Sequence, residues 1–268
     1  MRAMRILVVE DEQRIANSIK KGLEQERYAG EAMVKTERAV ALAGKGLEGD
    51  RYATGKGAYS RSKRETVRHV SLIAQEAIDE ANRESGLDFQ EAETRRNLVV
   101  EGVDLNGLAG EIFLVGAVAM LGVELCEPCE RPSRLSGKKG FGEAFRGRGG
   151  LRANVLSGGE ILTGDGVSRM KDGVIEGPGG VRWFEKKIWG EYFDPVGRGS
   201  KKYELRLGDF ECREGDMLVL REWDPKTSGY TGRVVVKRIT YARKFKLEDL
   251  FWSREEIQEW GLQVISLE

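Results

Sequence analysis

Residues 95–134 read RRNLVVEGVDLNGLAGEIFLVGAVAMLGVELCEPCERPSR, and the rest of the fold can be read outward from them. Leu98–Val100, Ile112–Val115 and Ala117–Leu125 are apolar runs of β type, punctuated by Gly107, Gly110, Gly116 and Gly122. Several short strands broken by glycine argue for a barrel or a sandwich. The last run ends on two thiols, Cys126 and Cys129, with Arg131 and Arg134 just beyond. Cations beside a thiol favour the reactive thiolate; Glu127 and Glu130 act in the opposite sense, and the sequence leaves that balance open. Arg95 and Arg96 are adjacent, so on a strand they point to opposite faces. Each reads either as a surface ion-pair partner of Glu91 or Glu93, or as a planar fork for a phosphate or carboxylate.

The cysteine pair admits four readings. A zinc half-site needs further ligands, and Cys212 and His69 lack motif spacing. A thioredoxin-type dithiol needs a strand-to-helix turn, and Glu-Arg-Pro-Ser after Cys129 is a poor helix start. Two buried structural thiols are a third reading. A reactive sulfur carrier is the fourth.

Composition sets the frame. A chain of 268 residues fits two modest domains, each able to bury a core. Lys+Arg and Asp+Glu are equal at 44 each, so any basic site must be a local patch. Three cysteines argue against a disulfide framework. The apolar run Ile6–Val9 is far too short for a signal segment or a membrane span, so a cytoplasmic protein with no membrane partner is expected. All five Trp and 14 of the 21 aromatic residues lie in 182–268, which marks a separate C-terminal domain.

Upstream, residues 4–9 read as a strand followed by the acidic turn Glu10-Asp11-Glu12. Ile15, Ile19 and Leu23 then share a helix face. The run AVALAG leads into GKGLEGDRY (44–52), which lacks the phosphate-loop pattern. It reads as a tight loop whose glycines permit positive φ, with Lys45 and Arg51 available to an anion. Residues 53–69 form a polar, basic loop. His69 reads as a strand-edge or core-rim residue rather than a general acid or base. Leu72, Ile73, Ala77, Ile78 and Ala81 share a helical face, predicting a packing helix of about fourteen residues that Gly86 ends.

The segments RRNLVVEGVDL (95–105) and LCEPC (125–129) resemble the core of a MOSC domain, the module at the C-terminus of molybdenum-cofactor sulfurases. Gly44–Tyr52 resembles the family's upstream motif, and Gly149–Leu156 with Gly158–Asp165 its downstream one. The resemblance spans about residues 30–167. It implies a β-barrel that carries sulfur as a cysteine persulfide or binds the molybdenum cofactor (molybdopterin). Cys129 matches the family's characteristic cysteine, and Cys126 is the extra thiol, placed to resolve. Lys45, Arg51, Arg95, Arg96 and Asn97 would hold the cofactor. A cysteine desulfurase or other sulfur donor is the implied partner. No metal site of the protein's own is expected.

Residues 4–28 resemble the first strand and helix of a response-regulator receiver domain, but the phosphoacceptor Asp has no counterpart, so a structural β–α extension is expected. Residues 168–181 read as a Gly-rich linker. Beyond it, Lys202–Leu207, Met217–Trp223, Arg233–Tyr241 and Leu262–Leu267 are expected strands. Ser253 and Glu256 form a capping box for a short helix ended by Gly261. This region, with GSKKYELR (199–206) and FECREGD (210–216), resembles an ASCH domain of the PUA-like barrel class. That resemblance implies RNA binding through Lys201, Lys202, Glu204 and Arg206. Glu204 stands where the family's deacetylase branch has threonine, which argues for binding rather than hydrolysis. No DNA partner is expected. The expected architecture is mainly β with some α: a β–α extension (1–28), a MOSC-like barrel (29–167), a linker (168–181) and an ASCH-like barrel (182–268). A different class remains beside it, a non-catalytic RNA-binding module in which the MOSC-like part is structural.

Overall fold

The computed structural model describes residues 34–50, 52–55, 69–263 and 265, with residues 7–10 and Val34 described by backbone. It divides into two compact units, Met1–Lys171 and Asp172–Glu268.

The strands of the first unit are β1 (Leu7–Glu10), β2 (Val34–Thr36), β3 (Arg38–Leu42), β4 (Gly46–Leu47), β5 (Val70–Ala74), β6 (Leu98–Val100), β7 (Ile112–Val115), β8 (Val118–Leu125), β9 (Leu151–Val155), β10 (Gly159–Leu162) and β11 (Val167–Arg169). Eight of them form one sheet in the order β11-β7-β8-β9-β5-β6-β1-β2, curled as a half-barrel, and β10-β3-β4 form a small second sheet. The fold is mainly β with helices between the strands, as the sequence implied. Helices α1 (Gln75–Ser85), α2 (Arg131–Ser136) and α3 (Phe141–Ala144) complete the unit.

The sheet buries both faces near its centre. Leu72, Leu98, Val100, Phe113, Val118, Met120, Leu151 and Ala153 point into one core. On the other face Ile73 and Val99 meet Ile78 and Ala81 of α1 together with Phe89, Phe141 and Phe145. The pairing of β5 with β6 is parallel, joined through α1, which is why both strands are apolar on both faces. Helix α1 is a correction: it begins at Gln75, and Leu72 and Ile73 belong to β5. A short apolar run before an amphipathic helix carries no periodicity that separates the two. Gly86 does cap the helix in the left-handed region, as expected.

Strand β1 joins this sheet between β6 and β2. The receiver-like helix face Ile15, Ile19 and Leu23, and the acids Asp11 and Glu12, lie outside the described residues.

The second unit is a four-stranded sheet in the order β12 (Val174–Glu176), β13 (Arg182–Trp189), β14 (Met217–Asp224), β15 (Gly229–Arg238). Strands β13 and β14 are parallel, with helix α4 (Gly190–Arg198) following β13. Phe193 and Val196 of α4 pack on Phe184, Ile188, Leu218 and Leu220. Three expectations are corrected here. Residues 168–181 are not a plain linker: β11 ends within them, and β12 is pinned to β13 by the buried Ile175. Lys202–Leu207 form no strand, because their alternation finds no face to bury, leaving Leu205 and Leu207 exposed. Residues 262, 263 and 265 are likewise not in a strand. Helix α5 (Arg254–Trp260) is capped by Ser253 and Glu256 as expected. Among the described residues, no helix is long and apolar enough to cross a membrane.

Candidate functional site

Strand register assembles a polar row across the first unit's sheet. Arg152 of β9 stands opposite Glu124 of β8 on one side and opposite Ser71 of β5 on the other. The Asn97 N–H, just before β6, donates to the Ser71 carbonyl at 2.9 Å. The Asn97 carboxamide oxygen accepts from the Ser71 amide and hydroxyl at 3.0 and 2.9 Å, while its NH₂ donates to Asp50 Oδ2 at 3.1 Å. Asp50 Oδ1 accepts the Tyr52 amide at 2.7 Å. Asp50 and Asn97 are both buried, so this chain of bonds satisfies groups that would otherwise cost heavily. It ties Asp50, Tyr52 and Asn97 to Ser71 of β5 in one assembly.

Two adjacent glycines hold the fourth motif against it. A side chain at Gly149 would stand 2.1 Å from the Cys126 carbonyl oxygen, and one at Gly150 1.9 Å from the Leu72 carbonyl oxygen. Gly150 also has φ +97° and accepts the Cys126 amide at 2.7 Å. The Gly-Gly pair therefore lets the cysteine loop and β5 approach from opposite sides.

The paired arginines differ from the strand reading. Glu91–Thr94 is a short 3-10 turn closed by a Gln90/Glu93 capping box, and it forces Arg95 into the left-handed region at φ 61°. Neither arginine sits in a strand, and Glu91 and Glu93 pair instead with Lys35 and Lys138. Arg96 donates Nε to the Gly149 carbonyl at 2.9 Å and Nη1 to that of Thr94 at 3.1 Å, so it clamps the glycine pair to the turn. Lys45 is exposed at the β3–β4 turn, and Arg51 lies outside the described residues.

The two thiols have opposite settings. Cys129 is free and exposed, whereas Cys126 is free and buried. The Arg152 guanidinium donates to Glu124 Oε1 at 3.2 Å, two residues before Cys126 in the chain. Burial pulls the Arg152 pKa down, but attraction and hydrogen bonding to Cys126, with Glu124 and Tyr52, outweigh it and raise the value. Arg152 stands in the quoted motif GGLRANVL, yet no reading of spacing gave it a role. Only the β8–β9 register places it opposite Glu124, near the cysteine loop. The residues from Cys126 to Cys129 contain no turn or bend. Extended chain separates their Cα atoms by about 10 Å, beyond the roughly 7 Å limit for a disulfide. A resolving role for Cys126 therefore needs the loop to rearrange.

His69 is buried at the edge of the same sheet, in line with its reading as a rim residue. Burial holds its pKa below the ordinary value, and its Nδ1 accepts the Val155 amide at 2.9 Å. Protonating Nδ1 would break that bond, so the ring serves as a neutral structural acceptor. No cluster of three or more metal-ligating side chains occurs among the described residues.

In the second unit, residues 201–207 lie outside any strand. There Lys201 and Glu204 meet: Lys201 Nζ lies 2.7 Å from Glu204 Oε2, and Arg206 Nη2 lies 2.7 Å from Glu204 Oε1. Arg206 also donates to the Lys187 carbonyl. Two of the expected RNA-binding cations are thus engaged by the third expected residue, and Lys202 is exposed. A different cluster was not foreseen. Trp189, Trp223 and Tyr230 stand opposite one another on β13, β14 and β15. Lys187 lies 3.7 Å over the Trp223 ring and Arg221 3.9 Å over the Tyr230 ring.

Residues 59–168 match the MOSC domain, and residues 184–252 match DUF3850, a domain of unknown function. An uncharacterized 12.9 kDa protein of Escherichia phage P2 is 43% identical over 56 residues, covering 21% of this chain. The match spans half the length of that curated relative. The crystal structure of the YuaD protein from Bacillus subtilis superposes with a TM-score of 0.46 at 17% identity, covering 61% of this chain and 94% of that one. YiiM from Escherichia coli gives 0.42 at 15% identity, covering 64% and 71%.

Proposed function

With a MOSC domain at residues 59–168 and a DUF3850 domain at 184–252 as the premise, we propose that the first unit is a sulfur carrier that holds a persulfide on Cys129. The observation that carries this reading is the exposure of a free thiol at the end of the loop that the GGLR motif packs against. The Cys129 thiolate attacks the outer sulfur of a donor persulfide. A new S–S bond forms, the donor's S–S bond breaks, and the donor leaves as a thiolate with the bonding pair. A cysteine desulfurase has the right chemistry as donor. The molybdenum cofactor implied by the MOSC resemblance fits the described residues poorly. The Asn97 amide is bonded at both ends, and Arg96 spends two donors on carbonyls, so neither forms an open cradle for a pterin phosphate. The sulfur step rests on the cysteine.

The test is mass spectrometry of the reduced full chain after exposure to a cysteine desulfurase and cysteine. One added sulfur atom is expected on Cys129. Cys129→Ser should abolish it and Cys126→Ser only reduce it. Sulfur that never resides on Cys129 would refute the carrier role.

A second reading concerns the C-terminal unit, and the aromatic row favours it. Trp189 and Tyr230 are exposed, and Lys187 lies over the Trp223 ring between them. Aromatic platforms beside cations suit single-stranded RNA, at about 1–3 kcal/mol per stacked base. Binding of a short oligonucleotide should weaken as salt rises. Trp189→Ala should weaken it by roughly tenfold, whereas Lys201→Ala should change it by about twofold or less. Affinity that ignores both salt and Trp189 would exclude this surface.

A further inference from the structure

Residues 229–246 carry six Lys and Arg and no Asp or Glu, whereas acids outnumber cations by 16 to 11 in the rest of 182–268. In a chain of zero net charge the field of this stretch is local and positive. Its first part is β15, the last strand of its sheet, with no strand on its outer edge among the described residues. Tyr230, Val234 and Arg238 stand opposite Trp223, Arg221 and Met217, so Arg238 shares the face of the aromatic row. Just past the strand, the Ile239 amide donates to the Asp216 carbonyl and its carbonyl accepts the Gly215 amide, both at 2.8 Å. The chain beyond forms no strand, yet the Lys244 stem lies against Gly208, its Cε 2.6 Å from where a Cβ would stand there. Arg233 is spent on Glu222 and Asp194, and Lys246 on Glu248. Lys237 is half-exposed, and Arg238, Arg243 and Lys244 are exposed, interleaved with Tyr241 and Phe245 at 75% and 44% accessible.

We propose that this stretch is a phosphate track for single-stranded RNA, carrying the strand's backbone from the aromatic row along β15 to Tyr241. The inference deepens the RNA reading and rests on it, but it names a different surface. Lys237, Arg238, Arg243 and Lys244 meet phosphates, and Tyr241 stacks a base. From Tyr230 to Arg238 the strand runs about 25 Å, so a nucleic acid stacked on the row reaches the far cations only when it is several nucleotides long. The open edge of β15 adds backbone N–H groups, which phosphate oxygens accept. An acidic protein segment would answer the charge but would leave the exposed Tyr241 and Phe245 rings without a role. Cations interleaved with aromatic rings suit a flexible polyanion whose bases are free to stack. Duplex RNA fits poorly, because its paired bases have no free faces to offer Tyr241.

The experiment follows the fluorescence anisotropy of a labelled oligouridylate of about ten nucleotides, within the roughly 4–16 that such grooves take, as the full chain binds it across a salt series. Four phosphate contacts predict a slope of log affinity on log salt of about −3. Lys237→Ala with Arg238→Ala should halve that slope, and Arg243→Ala with Lys244→Ala should do the same. The charge-keeping pair Lys237→Arg with Arg238→Lys should leave it unchanged, which separates charge from fold. Tyr241→Ala should weaken binding roughly tenfold at constant slope, and Tyr241→Phe should restore it. A dinucleotide should be indifferent to Arg243 and Lys244. A slope that ignores both cation pairs, or duplex RNA bound as tightly as the single strand, would overturn the inference. Polyglutamate bound as tightly as the RNA would overturn it too, in favour of an acidic protein partner. If Trp189→Ala weakens binding while the cation variants leave the slope alone, this inference falls and the aromatic row stands. If the cation variants flatten the slope while Trp189→Ala changes nothing, the row falls and the track stands.

Discussion

Gly150→Ala is expected to cost the first unit about 4–5 kcal/mol, enough to threaten a domain whose whole stability is of order 5–15 kcal/mol. The added Cβ would sit 1.9 Å from the Leu72 carbonyl oxygen, 3.0 Å from its carbon and 3.2 Å from the Ile73 Cα. All three are backbone atoms of β5, and Leu72 and Ile73 are fully buried on opposite faces of the sheet. Neither strand can retreat without breaking the Cys126–Gly150 hydrogen bond or opening a core. The left-handed backbone at φ +97° adds about 1–2 kcal/mol of strain for any residue with a Cβ. Gly147→Ala is the control. It shares a positive φ, +74°, but has nothing within 4 Å of the new atom. Urea unfolding followed by circular dichroism should show the control losing only the backbone strain. Equal losses in the two variants would mean that close approach of β5 and β9 is not what demands Gly150.

Asp216→Ala should destabilise the second unit by about 3–5 kcal/mol, the range for breaking one partner out of a buried charged pair. Asp216 is almost wholly buried at the turn before β14. Its carboxylate accepts the Arg182 amide at 3.2 Å, the Arg213 amide at 2.9 Å and the Arg182 guanidinium at 2.7 Å. Removing it strands the Arg213 amide in the turn before β14 and the Arg182 donors at the start of β13, the strand that pairs with both β12 and β14. Burial pushes its pKa up, yet the Arg213 and Arg182 hydrogen bonds and the Arg182 charge outweigh that and hold it below the usual carboxylate range. The folded-state value is thus lower than the unfolded one. The stability it contributes is fully present above the unfolded pKa of about 3.9 and is lost as pH falls through the folded value. Melts from neutral pH downward should show this acid loss in the wild type. Asp216→Asn should start less stable and lose less on acidification. An Asn variant with an unchanged acid profile would count against this assignment.

The strands Leu98–Val100, Ile112–Val115 and Val118–Leu125, the cap at Gly86, the Ser253/Glu256 capping box and the MOSC character of the middle of the chain were all legible from residue order. Each depends on near neighbours: β-type runs punctuated by glycine, a left-handed cap, or a side chain reaching its own helix's amide. The thiols were legible as a pair for the same reason. What tertiary structure decided was which side chains meet across strands. Arg152 meets Glu124 because β8 and β9 pair with those two residues opposite one another, a register no local pattern carries. Asp50 and Asn97 come from two separate motifs and Ser71 from β5, and they close one hydrogen-bond chain only when β5 and β6 lie parallel. Arg95 left the strand because a 3-10 turn ended one residue earlier. Lys201 met Glu204 because no sheet edge took up Lys202–Leu207, so alternation gave way to the ion pair. Local order determines where strands, caps and thiols fall. Pairing and burial, which join residues distant in the chain, determine which thiol is buried and which faces solvent.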